Sequence, residues 1–139
     1  MSEESRPTKA MLIRIKNTLE LPEEIVKEIQ VTNPYILTIV PSDYKKILLF
    51  PRQVNKILWV RLQLSSKVLQ QDFFIAISKL LESTGLKAIY TTGVCFQGTY
   101  CSWEGFFDSI PQLTGKNLEN EFRKIATVQN VEITVLEVI

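Results

Sequence analysis

The sequence predicts an α+β protein: a small β-rich module followed by a domain whose strands and helices run βαββαβ. Three observations carry that prediction. Residues 56–64 alternate without a break, with Leu58, Val60, Leu62 and Leu64 on one side and Ile57, Trp59, Arg61 and Gln63 on the other. Two later segments space their apolar residues as one helical face. The first carries Phe73, Ala76, Ile77, Leu80 and Leu81; the second carries Leu118, Phe122, Ile125 and Ala126. Between the helices lie two strand-like runs, 86–96 and 99–108, joined at Gln97-Gly98.

Taken in chain order, residues 1–9 are polar, lack the apolar centre of a targeting signal, and read as a disordered arm. Residues 10–16 and 18–21 are strand-like. Pro22-Glu23-Glu24 then opens a short helix: proline suits a first turn, where its missing N–H costs nothing, and carboxylates favour the positive end of the helix dipole. Ile25, Val26 and Ile29 supply its apolar side. Residues 35–40 and 46–50 form a hairpin about Pro41-Ser42-Asp43-Tyr44. The pattern changes near Pro51-Arg52-Gln53-Val54-Asn55, which sets a module over 10–52 and a domain over 56–139.

Within the domain, Asp72 is placed to cap the first helix, and Gly85 to end it in a left-handed residue. Thr114 is placed to cap the second helix, and 131–138 is the last strand. The order is the split βαββαβ of a ferredoxin-like sandwich. Facing Cys95 with Cys101 sets Gly93 opposite Trp103, Thr91 opposite Gly105 and Ile89 opposite Phe107, with the indole ring covering bare glycine backbone. A two-residue turn would shift every pair by one and set Trp103 opposite Thr92. The cysteine-facing register is preferred.

The 139 residues carry 16 basic and 15 acidic groups, two cysteines and no histidine, and 45% of them are hydrophobic. A net charge of +1 gives no global field to draw nucleic acid or an anionic surface. Without histidine the chain lacks the commonest general base and metal ligand, so Ser–His and Cys–His nucleophile pairs are impossible within it. The expectation is a chain with no catalytic residues, no metal site and no cofactor. No apolar run approaches the roughly 20 residues of a spanning helix, so no membrane partner and a cytoplasmic location are expected. Cys95 and Cys101 have three readings: a cross-strand disulfide, a redox switch, or two buried reduced thiols. An intracellular setting favours the last.

Residues 57–138 resemble the ACT domain family, small βαββαβ modules that bind amino acids or related effectors. The resemblance covers that whole stretch in element order. It is carried most by Ile75-Ala76-Ile77-Ser78-Lys79-Leu80-Leu81-Glu82-Ser83-Thr84-Gly85-Leu86, similar to the family's first helix running into its second strand. Where the family has a Gly-x-Leu turn, this chain has Ser65-Ser66-Lys67-Val68-Leu69. Ser65, Ser66 and Lys67 are the candidate effector-binding residues, because they precede a helix N-terminus that favours an anion. The plainer alternative is that the serines turn the chain and Lys67 is solvated.

Residues 10–51 are similar in element order to the AbrB-type swapped-hairpin domain, in which strand pairs and a short helix interlock between two subunits. Leu19-Glu20-Leu21-Pro22-Glu23-Glu24 and Lys46-Ile47-Leu48-Leu49-Phe50-Pro51 carry the likeness. The family's two glycine turns are replaced by Lys16-Asn17-Thr18 and Thr32-Asn33-Pro34. The resemblance implies a homodimer that contacts DNA. Lys9, Arg14, Lys16 and Asn17 are the DNA candidates, since Arg14 and Lys16 share one face of a strand and phosphate neutralisation dominates non-specific affinity.

Trp59 and Trp103 are the candidate interface residues. Both are expected on the sheet face that the helices leave open, buried against another subunit or domain. The other reading packs a tryptophan over Gly93 or against the N-terminal half of its own chain. Together these features predict a small dimeric regulatory protein: a DNA-binding transcriptional regulator whose ACT-like domain senses a small effector such as an amino acid. The alternative is a non-enzymatic assembly or scaffold protein that works through its open sheet face.

Overall fold

The computed structural model describes residues 10, 11, 14, 18, 20–41, 44–65, 69–96, 100–113 and 115–139. Its elements are α1 (Glu23–Gln30), β1 (Tyr35–Ile39), β2 (Leu48–Arg52), β3 (Lys56–Leu64), α2 (Gln71–Thr84), β4 (Ala88–Cys95), β5 (Cys101–Asp108), α3 (Gly115–Arg123) and β6 (Val128–Glu137). The last six make the βαββαβ run. Their strands form one antiparallel sheet in the order β4-β5-β3-β6. That order, with the first strand of the run flanked by the third and the fourth, is the ferredoxin-like arrangement, and the class is α+β.

The alternation of β3 explains its central place. Leu58, Val60, Leu62 and Leu64 are all buried, and they meet Phe73, Ile77 and Leu80 of α2 and Leu118 and Phe122 of α3. Each fully buried aliphatic side chain contributes about 1.5–3 kcal/mol. Both faces of β3 are used, since Ile57 belongs to a second cluster with Leu37 and Phe106.

That second cluster joins the two parts of the chain. β1 and β2 pair as an antiparallel hairpin, with Leu37 opposite Phe50 and Tyr35 opposite Arg52. The hairpin lies on the sheet face away from the helices, where Ile39 and Phe50 pack with Trp59, Tyr90 and Leu136. An open antiparallel face with aromatics on it is thus covered by the same chain. α1 begins where Pro22 suggests, and the Ile25 and Val26 amides donate to the Pro22 carbonyl at 3.0 and 3.1 Å.

Several expectations need correction. The strand expected over 10–16 is absent at Ala10, Met11 and Arg14, and Thr18, Glu20 and Leu21 lie in none; the other residues of both runs fall outside the described set. Gln70, not Asp72, is the N-cap of α2, and Asp72 sits in the first turn, where its charge suits the dipole. Thr114 lies outside the described residues. α3 ends at Arg123, so Ile125 reaches the core from the following turn. β6 starts three residues early, at Val128, where a bulge against Gln63 and Leu64 lengthens the pairing. Gly85 ends α2 as expected, at φ 77°, accepting the left-handed conformation that a side chain resists.

Candidate functional site

The β4–β5 hairpin holds the register that the cysteines suggested: Cys95 opposite Cys101, Gly93 opposite Trp103 and Thr91 opposite Gly105. A bulge between Ala88 and Tyr90 then sets Ala88, not Ile89, opposite Phe107. The Phe96 amide donates to the Tyr100 carbonyl at 2.9 Å. Cys95 and Cys101 are therefore the adjacent non-hydrogen-bonded pair, where side chains approach most closely. Their Cα atoms are 4.0 Å apart and they form a disulfide, which corrects the expectation of two reduced thiols. Cys101 is buried in the helix-side core while Cys95 is exposed.

The two tryptophans part company. Trp103 is on the helix-covered side, 3% exposed, with Phe73, Phe107 and Phe122 around it. Period two explains this, because Cys101, Trp103 and Phe107 share the core face of β5. The expectation of an open-face Trp103 is therefore wrong. The side chain nearest to Gly93, the glycine opposite it, is Leu69 rather than the indole. A Cβ on Gly105 would stand 2.6 Å from Trp103 Cη2, whereas a Cβ on Gly93 would strike Leu69 Cδ1. Trp59 does lie on the other face, stacked on Phe106 with ring centroids 5.5 Å apart, and is covered by its own N-terminal half.

Of the remaining sequence candidates, Ser65 and Arg14 are among the described residues. The Ser65 amide and hydroxyl both donate to the Thr127 carbonyl, at 2.8 and 3.2 Å, which ties the end of β3 to the turn before β6. Ser66 and Lys67 lie outside the described residues, as do Lys9, Lys16 and Asn17. Arg14 is exposed. A shallow cavity of about 370 Å³ lies between α2 and the segment after α3, floored by Phe73, Ala76 and Leu80. At its edge Lys124 pairs with Glu121 at 2.9 Å.

A larger concavity, about 680 Å³, opens on the other sheet face. The hairpin covers only the apolar end of that face. Beyond its edge the sheet turns polar, because the same strand rows continue as Arg61 on β3, Glu104 and Ser102 on β5, and Thr92 on β4. Register sets Arg61 opposite Glu104 on one side and Glu132 on the other, and it pairs with them at 3.4 and 3.8 Å. Its guanidinium also lies 5.1 Å from the centre of the Trp59 ring. Residues 38–41 and Lys46 overhang the groove, while Tyr90, Val94 and Phe96 form its β4 side. Among the described residues Lys46 has no carboxylate partner, and the buried Trp59 Nε1 has no acceptor.

Sequence reading missed Lys46, Arg61, Tyr90, Thr92 and Phe96. A signal was present in β3, whose non-core row runs from apolar Ile57 and Trp59 to polar Arg61 and Gln63. A face that changes character along one strand marks the edge of whatever covers it. Among the described residues no cluster of three or more acidic or cysteine side chains is arranged to hold a metal ion. No helix among them is long and apolar enough to cross a membrane. No protein-family model matches the chain, and no curated protein matches it in sequence.

Proposed function

We propose that this chain is a non-catalytic regulatory protein that acts as a homodimer. The two copies join through α1 and the outward face of the β1–β2 hairpin, and the ferredoxin-like domain senses an effector. The supporting observation is the uncovered apolar surface of the N-terminal module. No residue of α1 is buried, Val31 after it is 80% exposed, and Ile36 and Leu49 stand outward at 43% and 36%. Leaving such surface in water forgoes about 25 cal/mol per Å². A second copy presenting the same patch recovers that energy in one isologous contact. Lys9, Arg14, Lys16 and Asn17 would then contact DNA phosphates as the output, one set per subunit.

Sedimentation velocity tests the dimer. The unmodified chain should sediment as a dimer at micromolar concentration. Ile36→Glu with Leu49→Glu should shift it to a monomer whose near-ultraviolet circular dichroism is unchanged. A monomeric unmodified chain would overturn the proposal. Anisotropy with a generic duplex tests the output: binding should weaken steeply with salt, and Arg14→Ala should flatten the slope. An intact dimer with no low-salt binding would remove DNA and favour the assembly reading.

A further inference from the structure

We infer that the groove between the hairpin overhang and the polar end of the sheet is a binding site for a small, flat aromatic carboxylate. The proposal names the effector chemistry for the regulatory reading above, yet needs only one copy of the chain, so it can stand or fall without the dimer. The groove's size, about 680 Å³, falls within the roughly 300–1,000 Å³ of small-molecule sites. Its walls are mixed in the way such sites are. Tyr90, Phe96, Phe106 and Trp59 offer aromatic surface, and Thr92 and Ser102 offer hydroxyls.

Charge selects the sign of the ligand. Among the described residues, the charged side chains lining the groove are Lys46, Arg61 and Glu104. Glu104 is engaged by Arg61, and Glu132, outside the lining, holds Arg61 from the other side. Lys46 therefore remains as the cation with no carboxylate of its own among the described residues. It lines the groove together with Val40 and Pro41 of the overhang and the aromatic residues of β4 and β5. A carboxylate at Lys46 would leave a planar apolar body for the aromatic surface of the same groove, on Tyr90 or on Phe96. An ammonium group would meet Lys46 and Arg61 and find Glu104 already engaged, so a cationic ligand is disfavoured.

The two indoles make the test specific, because Trp59 borders the groove and Trp103 is buried behind the sheet. In a ¹H–¹⁵N titration with 2-naphthoate, the Trp59 indole signal and the Thr92 and Val94 amides should move while the Trp103 indole stays still. Naphthamide, the neutral counterpart, should bind more weakly. Lys46→Ala should weaken naphthoate about five- to tenfold and leave naphthamide unchanged. Val94→Trp, on an exposed edge-strand position, should fill the groove and abolish both. Equal binding of naphthoate and naphthamide, or naphthoate binding unchanged in Lys46→Ala, would overturn the assignment. So would shifts confined to Ile36, Leu49 and α1, which would place the probe on the dimer surface. Sedimentation of the same samples reads the oligomer separately.

Discussion

Arg52, the last residue of β2, grips Asp108, the last residue of β5, through two guanidinium nitrogens, with Nε donating to Oδ1 at 3.1 Å and Nη2 to Oδ2. The fork spans 56 positions of sequence and ties the edge of the hairpin to the sheet that it covers. Both side chains are about one-third exposed, so water screens the charge while the two-point geometry holds direction.

Arg52→Ala should cost about 1 kcal/mol in urea unfolding, toward the upper end for a partly exposed ion pair. The loss should be uneven. Hydrogen exchange should quicken in β1 and β2 far more than in β3 and β5, because the hairpin is held from its outer end. Arg52→Lys should recover only part of the loss, since an ammonium cannot reproduce the fork. Uniform loss of protection across both sheets would show that the pair does not tether the hairpin.

The hairpin's hold on the sheet face predicts coupling between Leu37 and Phe106, which share the smaller core. Leu37→Ala should cost about 2–3 kcal/mol and Phe106→Ala about 3 kcal/mol. The double variant should cost at least about 0.5 kcal/mol less than the sum, because the second truncation removes contacts already lost. Strict additivity in chemical denaturation would contradict the packing.

The two strand glycines should respond differently to the same methyl group. At Gly105 an added Cβ would stand 2.6 Å from Trp103 and 2.7 Å from Phe107, two buried rings with nowhere to go. At Gly93 the obstacle is the end of Leu69, a partly buried side chain that can rotate. Gly105→Ala should therefore cost about 2–3 kcal/mol and Gly93→Ala less than about 1 kcal/mol, by melting temperature and urea midpoint.

The Cys95–Cys101 disulfide joins the last residue of β4 to the first of β5. The bridge spans a sequence separation of only 6, so its removal should cost about 2 kcal/mol and leave the sheet folded. Once reduced, exposed Cys95 should alkylate quickly with iodoacetamide, and buried Cys101 slowly. Mass spectrometry of timed samples reads the order, and comparable rates would mean that the end of β5 opens when the bridge is cut.

The βαββαβ order was legible from residues because its signals are local and strong. β3 alternates over its whole length, Phe73, Ile77 and Leu80 recur at helical spacing, and Gly85 stands where a helix must stop. The cysteine-facing register was legible too, since a sheet pairs residues in steps of two. Asp72 does not identify the α2 cap because a carboxylate is favourable two positions past the cap as well as at it. Ile89 was misplaced because a bulge leaves no mark in the composition of a strand. The groove residues were hidden for a different reason: Lys46 and Arg61 are ordinary charges until a hairpin from elsewhere in the chain stops short of them.

By itself, then, the sequence determined the class and the order of elements from β3 onward, since period and turn chemistry act between near neighbours. Tertiary structure alone decided which side Trp103 faces, that the cysteines meet as a disulfide, and that the N-terminal hairpin covers the sheet. Those outcomes depend on contacts between distant segments, where burial of one face against another outweighs any local preference. The boundary between covered and open sheet is such an outcome, and the candidate site lies along it.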